Sequence, residues 1–245
     1  MLHIGTHKTG STSLQRFLRD QDRLLAAAGA SFPRGFLLPD VHAELPLLTV
    51  RPERTWPARI RLPETQRPEW LAAAKAHVRE QLRTTPHDVL VLSHEDLSYL
   101  RFDDELERLR STLSGAAVQI VVFLREPTTF LRSYREQLIA MEFPLSEEDT
   151  SSFAYVREDS WLVDYDALLS GYRRWFGHEA VSVIDYDKTL RRDGSVIPAF
   201  ADLLGIPRST LPDLDQYRLN RSGTQVRPTD EQLAVIRRRI VEQAP

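Results

Sequence analysis

The segment Gly5-Thr6-His7-Lys8-Thr9-Gly10-Ser11-Thr12-Ser13 decides the fold. A short strand is predicted just before it, and apolar residues at helical spacing follow it from Leu14 to Leu25. A Gly- and Thr-rich turn between a strand and a helix directs backbone N–H groups and the positive end of a helix dipole at an anion. We therefore expect this loop to bind a phosphate group, with the hydroxyls of residues 11–13 adding hydrogen bonds.

The position of the lysine separates this loop from the Walker A loop, G-x-x-x-x-G-K-[ST]. Gly5 and Gly10 have the Walker spacing, but Ser11 stands at the lysine position and Lys8 lies inside the loop. A Walker lysine spans the β- and γ-phosphates beside a hydroxyl on Mg²⁺. Lys8 is expected instead at the far end of a single 5′-phosphate, beside the oxygen that bridges it to a transferred group. The alternative is a solvated lysine in a glycine turn.

Strands and helices alternate along the rest of the chain. Alternation of this kind predicts an α/β fold: a three-layer α/β/α domain with a central parallel sheet, similar to P-loop nucleotide hydrolases. We expect one domain over residues 1–245. The predicted strands are 88–93, 118–124 and 180–186, and the predicted helices are 70–82, 106–113, 128–141, 161–176, 197–204 and about 229–241.

The stretch from Phe32 to Trp70 interrupts this alternation. It holds seven of the 15 prolines, and such a stretch cannot contain long regular elements. We interpret it as an excursion over the surface of the single domain, since loops of this length are commonly functional lids or disordered.

Composition excludes several classes of protein. The net charge of −3 gives no basic field that would favour nucleic acid, and the absence of cysteine excludes disulfides and thiolate metal sites. No run of about 18 apolar residues is present, so no membrane span is expected. The first residues lack the basic and apolar regions of a secretory signal, so a cytoplasmic location is expected. The oligomeric state is not indicated.

A second anion site is predicted at the end of the strand 118–124. Arg125 follows this strand, and Ser133 comes eight residues later in the next helix. The carboxyl ends of parallel strands border the crevice where such sheets bind ligands. Arg125 and Ser133 together would hold a second phosphate through a charged fork and a hydroxyl. The alternative pairs Arg125 with Glu126 or Glu136 and leaves Ser133 as a packing residue.

These two segments resemble a family, the sulfotransferases that use 3′-phosphoadenosine 5′-phosphosulfate (PAPS). Residues 6–15, THKTGSTSLQ, resemble its 5′-phosphosulfate loop, which is typically P-K-T-G-T/S-T, with His7 in place of the proline. Residues 125–133, REPTTFLRS, resemble its 3′-phosphate motif, an arginine followed eight residues later by a serine. The resemblance covers these two motifs and the general layout, and it is weak over 32–70 and beyond Arg191.

The resemblance implies a mechanism as well as a fold. The acceptor hydroxyl or amine would attack sulfur in line, without a metal and without a covalent enzyme intermediate, so that catalysis consists of positioning and charge stabilisation. Lys8 would contact the bridging oxygen, and Arg125 and Ser133 would bind the 3′-phosphate. The 5′-phosphate would be wrapped by Thr9, Gly10, Ser11, Thr12 and Ser13.

The general base is expected at the end of the strand 88–93. Members of the family commonly carry a histidine or a glutamate there, and this chain has both, as His94 and Glu95. We favour Glu95, because sequences that resemble this one often read S-S-E at this position. A closed and partly apolar cleft can raise the pKa of a glutamate towards neutrality, whereas His94 needs no such tuning. The alternative is structural: Ser93 caps a helix that begins at Glu95 or Asp96.

Two further residues are assigned by resemblance. Tyr186, in Ile184-Asp185-Tyr186-Asp187, resembles the tyrosine that contacts adenine in cytosolic sulfotransferases, although a tyrosine at the end of a strand is commonly a core residue. Arg221, in Asn220-Arg221-Ser222-Gly223, resembles the basic residue that closes over the nucleotide, with a solvated turn as the alternative.

Two other functions remain open at this point. A Mg²⁺-dependent P-loop kinase would use a carboxylate of residues 93–96 on the metal, but Ser11 cannot span two phosphates as a Walker lysine does. A non-catalytic nucleotide-binding module would keep the phosphate loop without needing a base. For the sulfotransferase, residues 32–70 and 143–160 are expected to border the acceptor, a carbohydrate, a lipid or another small molecule.

Overall fold

The centre of the molecule is a parallel sheet flanked by helices. The computed structural model describes residues 1–218 and 229–243. The strands are β1 (Leu2–His3), β2 (Ala30–Ser31), β3 (Val89–Leu90), β4 (Leu92–Ser93), β5 (Ile120–Leu124) and β6 (Val181–Asp185). The α-helices are α1 (Ser11–Asp20), α2 (Asp22–Ala27), α3 (Glu44–Thr49), α4 (Pro57–Arg61), α5 (Pro68–Thr84), α6 (Asp103–Thr112), α7 (Pro127–Ala140), α8 (Tyr165–Phe176), α9 (Tyr186–Asp193), α10 (Ile197–Leu203) and α11 (Asp230–Gln243). Short 3₁₀ helices span Pro63–Gln66, Glu95–Tyr99, Trp161–Val163, His178–Ala180, Arg208–Thr210 and Leu214–Tyr217.

All strand pairings in the sheets are parallel. The four-stranded sheet has the order β4-β1-β5-β6, and β2 pairs with β3 in a two-stranded sheet. Because β3 and β4 are consecutive, the segment 89–93 pairs first with β2 and then with β1. The carboxyl ends of β1, β4 and β5 therefore lie at one edge of the sheet.

The sheet is covered on both faces, which gives the three layers predicted from the sequence. Alternate residues of β5 point to opposite sides: Ile120 and Val122 belong to one hydrophobic cluster, and Val121 and Phe123 belong to another. Helices α5 to α8 pack in the first cluster, and α1, α2 and α10 pack in the second. The α/β fold class with a central parallel sheet is confirmed.

Several elements differ in detail from the predictions. The helical pattern from Leu14 to Leu25 is interrupted at Gln21, whose ψ of 37° separates α1 from α2. The predicted strand 180–186 is shorter in the structure, where β6 forms an edge of the four-stranded sheet and Val183 is 41% exposed. Helix α9, directly after β6, was not predicted.

The stretch from Phe32 to Trp70 does not run over the surface, contrary to the expectation. Its regular elements are short, as the prolines require, but Leu45, Trp56 and Trp70 are fully or almost fully buried in the first hydrophobic cluster. Burial of these large apolar side chains favours a packed segment over an exposed one. Its His42 N–H also donates to the Ser93 carbonyl at 3.0 Å, which ties the segment to the end of β4.

Over the ranges 1–218 and 229–243, no helix combines the length and the hydropathy needed to cross a bilayer.

Candidate active site

The loop between β1 and α1 has three residues in the left-handed region of φ. Gly5 has a φ of 73°, Lys8 of 61° and Gly10 of 78°. Glycine adopts this conformation readily, but Lys8 does so at a cost, so the surrounding contacts must hold it. The loop curls back on itself and delivers the chain into α1 at Gly10.

The N-terminus of α1 has no internal anion. Gly10 is the N-cap and supplies no side-chain hydrogen bond, and the first turn contains no acidic residue. The Ser11 hydroxyl is buried and has no hydrogen-bond partner among the described residues. Unsatisfied N–H groups, a buried hydroxyl without a partner and the helix dipole together fit an external phosphate.

The other hydroxyls of the loop have different surroundings. The Thr9 hydroxyl donates to the Thr6 carbonyl at 2.6 Å, so its side chain braces the loop. Thr12 is exposed and Ser13 is buried. The Thr6 hydroxyl donates to the Phe123 carbonyl at 3.2 Å, which anchors the loop to β5.

Arg125 lies on the same side of the sheet as the loop. Its Nη1 donates to the Lys8 carbonyl at 3.2 Å, and its Nε is buried without a hydrogen-bond partner among the residues described. The Glu126 carboxylate does not neutralise it, because that carboxylate caps α7 by accepting the N–H groups of Thr128 and Thr129. The two predicted anion-binding segments therefore meet at one place.

The positive charges of Lys8 and Arg125 are close enough to affect one another. Burial lowers the pKa of the Lys8 ammonium below its ordinary value of 10.5, the nearby Arg125 guanidinium lowers it further, and Glu136 acts in the opposite direction. Two partly buried positive charges without full neutralisation create a potential that attracts an anion.

The end of β4 packs directly against the loop. A Cβ added to Gly5 would lie 2.7 Å from both Cα and Cβ of Glu95, so only glycine allows this approach. Gln15 of α1 reaches the same strand end, where its Nε2 donates to Ser93 Oγ at 3.1 Å and to Glu95 Oε2 at 3.2 Å. The loop between β1 and α1, helix α1 and Glu95 thus form one unit.

The hydrogen bonds distinguish the two candidate bases. His94, and not Ser93, is the N-cap of the 3₁₀ helix Glu95–Tyr99, since its Nδ1 accepts the Asp96 N–H at 3.1 Å. A neutral His94 in this role carries its proton on Nε2, so that nitrogen donates and cannot accept. Gln15 donates to Oε2 of Glu95, so the other carboxylate oxygen, Oε1, lies outside this hydrogen bond.

The expected rise in the pKa of Glu95 is wrong. Burial by itself raises this pKa, but Coulombic attraction to the protonated forms of His94 and His7 outweighs burial and brings the pKa below its ordinary value of 4.5. Glu95 is therefore ionised at neutral pH. An ionised carboxylate is the form that accepts a proton.

His7, which stands where the family has proline, links the loop to Asp96. Its Nε2 lies 3.1 Å from Asp96 Oδ1, and its ring stacks on Tyr99 with centroids 5.0 Å apart. The ring of Tyr134 is 5.2 Å away, and its hydroxyl is hydrogen-bonded to the Tyr99 hydroxyl. This buried contact holds the residue that precedes Lys8.

Two other histidines flank the end of β4, and both are neutral. Burial lowers the pKa of His3 to about 4 and that of His42 to about 3. His3 Nδ1 is 2.8 Å from Ser93 Oγ, and His42 Nδ1 accepts the Ser93 N–H at 3.1 Å. Both therefore support the backbone and side chain of Ser93.

The remaining predicted residues are placed as follows. Tyr186 begins α9, where its ring centroid lies 5.4 Å from the Arg125 Cζ and its edge approaches Gly10. It is partly buried at the loop and not in the core of a buried strand. Ser133 lies on α7 and is partly exposed. Arg221 and its neighbours 220–223 lie outside the described residues.

Sequence reasoning did not assign roles to Gln15, His42, Tyr165 and Asp187, whose contacts shape this site. Gln15 stood inside the quoted loop motif and Asp187 beside Tyr186, but neither had a pattern that predicted its partner. Asp96, one of the carboxylates that a kinase would use, faces His7. In the described part of the chain, no group of three or more His, Asp or Glu side chains is arranged for a metal ion.

Comparison with known proteins finds a similar fold among solved structures. No family model matches the sequence, and none of the curated proteins matches it. Among solved structures, the chain is similar to a sulfotransferase from Alicyclobacillus acidocaldarius, with 18% identity and a TM-score of 0.58 over 99% of this chain and 92% of that chain. At this identity the likeness establishes the fold: the chain has the α/β architecture of that sulfotransferase.

Proposed function

We propose that this protein is a PAPS-dependent sulfotransferase that transfers the sulfuryl group to a hydroxyl or an amine of an acceptor. The observation that carries the proposal is the meeting of Lys8 and Arg125 at an uncapped helix N-terminus, where Nη1 of Arg125 reaches the Lys8 carbonyl. A single nucleotide that bears a 5′-phosphosulfate and a 3′-phosphate matches two anion-binding segments at one edge of the sheet.

Each residue has a specific part in this proposal. Ser11, with the N–H groups at the start of α1, would hold the 5′-phosphate, and Arg125 with Ser133 would hold the 3′-phosphate. PAPS supplies the sulfuryl group when it is bound. Lys8 would stabilise the charge that develops on the bridging oxygen, and Glu95 would take the proton of the attacking hydroxyl.

The acceptor pocket is proposed to border residues 32–70. This segment is hydrogen-bonded to Ser93 through His42, so it lies next to the strand end that carries Glu95. A hydroxyl of a carbohydrate, a lipid or a small molecule entering from this side would reach the base and the loop together.

The first test is nucleotide binding. Isothermal titration calorimetry in the presence of EDTA is expected to show binding of 3′-phosphoadenosine 5′-phosphate (PAP), because the site uses cations of the protein and no metal. ATP with Mg²⁺ is expected to bind more weakly, since Ser11 replaces the Walker lysine. Tight binding of Mg²⁺-ATP without binding of PAP would replace the sulfotransferase with a kinase.

The second test separates an enzyme from a nucleotide-binding module. Transfer of labelled sulfate from PAPS to a panel of alcohols, sugars, lipids and glycans identifies the acceptor class. Lys8→Ala is expected to reduce transfer on the order of 10²–10³-fold, because charge stabilisation at the bridging oxygen is lost. Lys188→Ala is the control, since Lys188 is 78% exposed and pairs only with Asp185 among the described residues.

If PAP binds and no acceptor is sulfated, the protein is a binding module. If Lys8→Ala leaves transfer unchanged, Lys8 does not contact the bridging oxygen.

A further inference from the structure

The peptide group between Arg125 and Glu126 is held from two sides. The Tyr165 hydroxyl donates to the Arg125 carbonyl at 2.8 Å, and the Glu126 N–H donates to Asp187 Oδ2 at 2.8 Å. Tyr165 opens α8 and Asp187 lies in the first turn of α9, so these contacts join the end of β5 to elements that begin 40 and 61 residues away.

Neither side chain serves its own helix in these contacts. Helix α9 is capped by Asp185, which accepts the Lys188 N–H at 2.8 Å, so the Asp187 carboxylate is not needed for capping. Helix α8 is capped in the same way by Asp164. The contacts of Tyr165 and Asp187 are thus additional to those that form their helices.

The orientation of this peptide group determines the position and direction from which the Arg125 side chain extends. Arg125 lies after the last residue of β5 and before the N-cap of α7, so the hydrogen bonds of neither element fix both of its peptide groups. The guanidinium at the other end of the side chain reaches the Lys8 carbonyl and lies above the Tyr186 ring. Asp187 and Tyr186 are adjacent, so the start of α9 contacts both the backbone and the side chain of this arginine.

The hydroxyl of Tyr165 is a reliable donor here. Burial is the largest influence on its pKa and raises it well above the ordinary value of 10, so the group keeps its proton at all physiological pH values. The Tyr165 hydroxyl satisfies the Arg125 carbonyl. Without this partner, only the Asp187 contact would hold the peptide group, and the Arg125 side chain would be less firmly oriented.

We propose that Tyr165 and Asp187 are positioning residues that orient Arg125 and thereby set the preference of the site for a nucleotide with a ribose 3′-phosphate. This inference rests on the proposed function, because it takes Arg125 as the 3′-phosphate ligand. Neither residue touches the nucleotide in this role. Their effect is confined to the affinity difference between a nucleotide with the 3′-phosphate and one without it.

The experiment compares PAP with adenosine 5′-monophosphate, which lacks the 3′-phosphate, by calorimetry. Tyr165→Phe and Asp187→Ala are each expected to weaken PAP binding about 5- to 10-fold, the effect of one lost hydrogen bond on an orienting contact, and to leave the affinity for adenosine 5′-monophosphate unchanged. Asp187→Asn keeps an acceptor oxygen for the Glu126 N–H and is expected to restore most of the preference.

Tyr172→Phe is the matched control. Tyr172 also donates its hydroxyl to a backbone carbonyl at 2.8 Å, but the carbonyl is that of Leu97, in the 3₁₀ helix Glu95–Tyr99 after β4 and not at the end of β5. This variant is expected to leave both affinities and their ratio unchanged.

The outcomes distinguish the two proposals. If the unaltered protein binds PAP no better than adenosine 5′-monophosphate, the assignment of Arg125 fails and the proposed function fails with it. If it prefers PAP and the preference persists in Tyr165→Phe and Asp187→Ala, the positioning role alone is refuted. An equal loss for both nucleotides also refutes it, since the contacts would then support the whole pocket.

Discussion

At the scale of single residues, hydrogen bonds assign different roles to adjacent side chains. His94 and Glu95 are equivalent in the sequence pattern, but His94 uses Nδ1 as an N-cap acceptor, and Glu95 is ionised and held by Gln15. A cap acceptor whose second nitrogen carries a proton is a poor general base. These hydrogen bonds support the proposal that Glu95, rather than His94, takes the proton of the acceptor.

Exchange of each residue for a near-isosteric amide tests this assignment. Glu95→Gln removes the proton acceptor and is expected to reduce the transfer rate on the order of 10²–10⁴-fold. His94→Asn keeps a side-chain oxygen for the Asp96 N–H, since asparagine is a good N-cap, and is expected to change the rate little. Sulfate transfer at saturating PAPS measures both, and the reverse ranking would make His94 the base.

The pH profile gives an independent check on Glu95. Because its pKa is below 4.5, the carboxylate stays ionised between pH 6 and 8, and the transfer rate is expected to be flat over that range. A loss of rate on acidification is expected only as the pH falls below 4.5. A rate that falls between pH 7 and 6 would point to a histidine.

At the scale of secondary-structure elements, the sequence predictions are accurate where neighbouring residues form a clear pattern of apolar side chains. Strand β5 was predictable because it is a continuous apolar run, and α5 because its apolar residues recur at helical spacing. Helix α9, YDKTLRRD, has few apolar residues and buries only Thr189 among its described side chains, so periodicity did not indicate it.

In the candidate site, too, the residues that are contiguous in the sequence were predictable and the long-range contacts were not. The loop 5–13 was recognisable because its residues are contiguous and lie between a strand and a helix. The contact of Gln15 with Glu95 spans 80 residues, and that of Asp187 with Glu126 spans 61. No local pattern encodes such pairs, because they arise only when the parallel strand ends meet at one edge of the sheet.

Helix α3 also carries a buried carboxyl group, whose charge is unfavourable to the fold. Glu44 is fully buried at the start of α3, and burial raises its pKa from 4.5 to about 7, although backbone N–H groups nearby partly oppose the rise. Between these two pH values the folded state keeps a proton that the unfolded chain has released. The free energy of unfolding therefore decreases as the pH rises from 4.5 to about 7 and levels off above it.

Glu44→Gln is expected to remove this pH dependence. The variant should match the unaltered protein near pH 4 and exceed its free energy of unfolding by about 3 kcal/mol at pH 8, as measured by urea denaturation across this range. Glu105→Gln is the control: Glu105 is equally buried, but its carboxylate accepts Arg54 Nη1 at 2.7 and 2.8 Å, so this exchange should destabilise the fold. If Glu44→Gln has no stabilising effect at pH 8, Glu44 is not a buried charge.

At the scale of the whole molecule, the two hydrophobic clusters that cover the faces of the sheet are built from different segments of the chain. The cluster on the α1 side is built mainly from residues near the phosphate loop and from α10. The other cluster combines helices α5 to α8 with residues 37–62, so the proline-rich stretch is a structural part of the domain. Burial against the sheet also fixes its place beside Glu95, where the acceptor is proposed to enter.

A pair of aliphatic substitutions within this stretch tests whether it belongs to the core. Leu45 is fully buried, and Leu45→Ala is expected to lower the free energy of unfolding by about 2–5 kcal/mol, through lost apolar burial and the cavity left behind. Ile60 is 51% exposed, and Ile60→Ala is expected to change it by less than about 0.5 kcal/mol. Urea denaturation should show a lower midpoint for Leu45→Ala with an unchanged slope, because the same cooperative unit unfolds. Equal and small effects of the two substitutions would mean that the stretch packs loosely on the surface, and the acceptor pocket would then lack a fixed wall on this side.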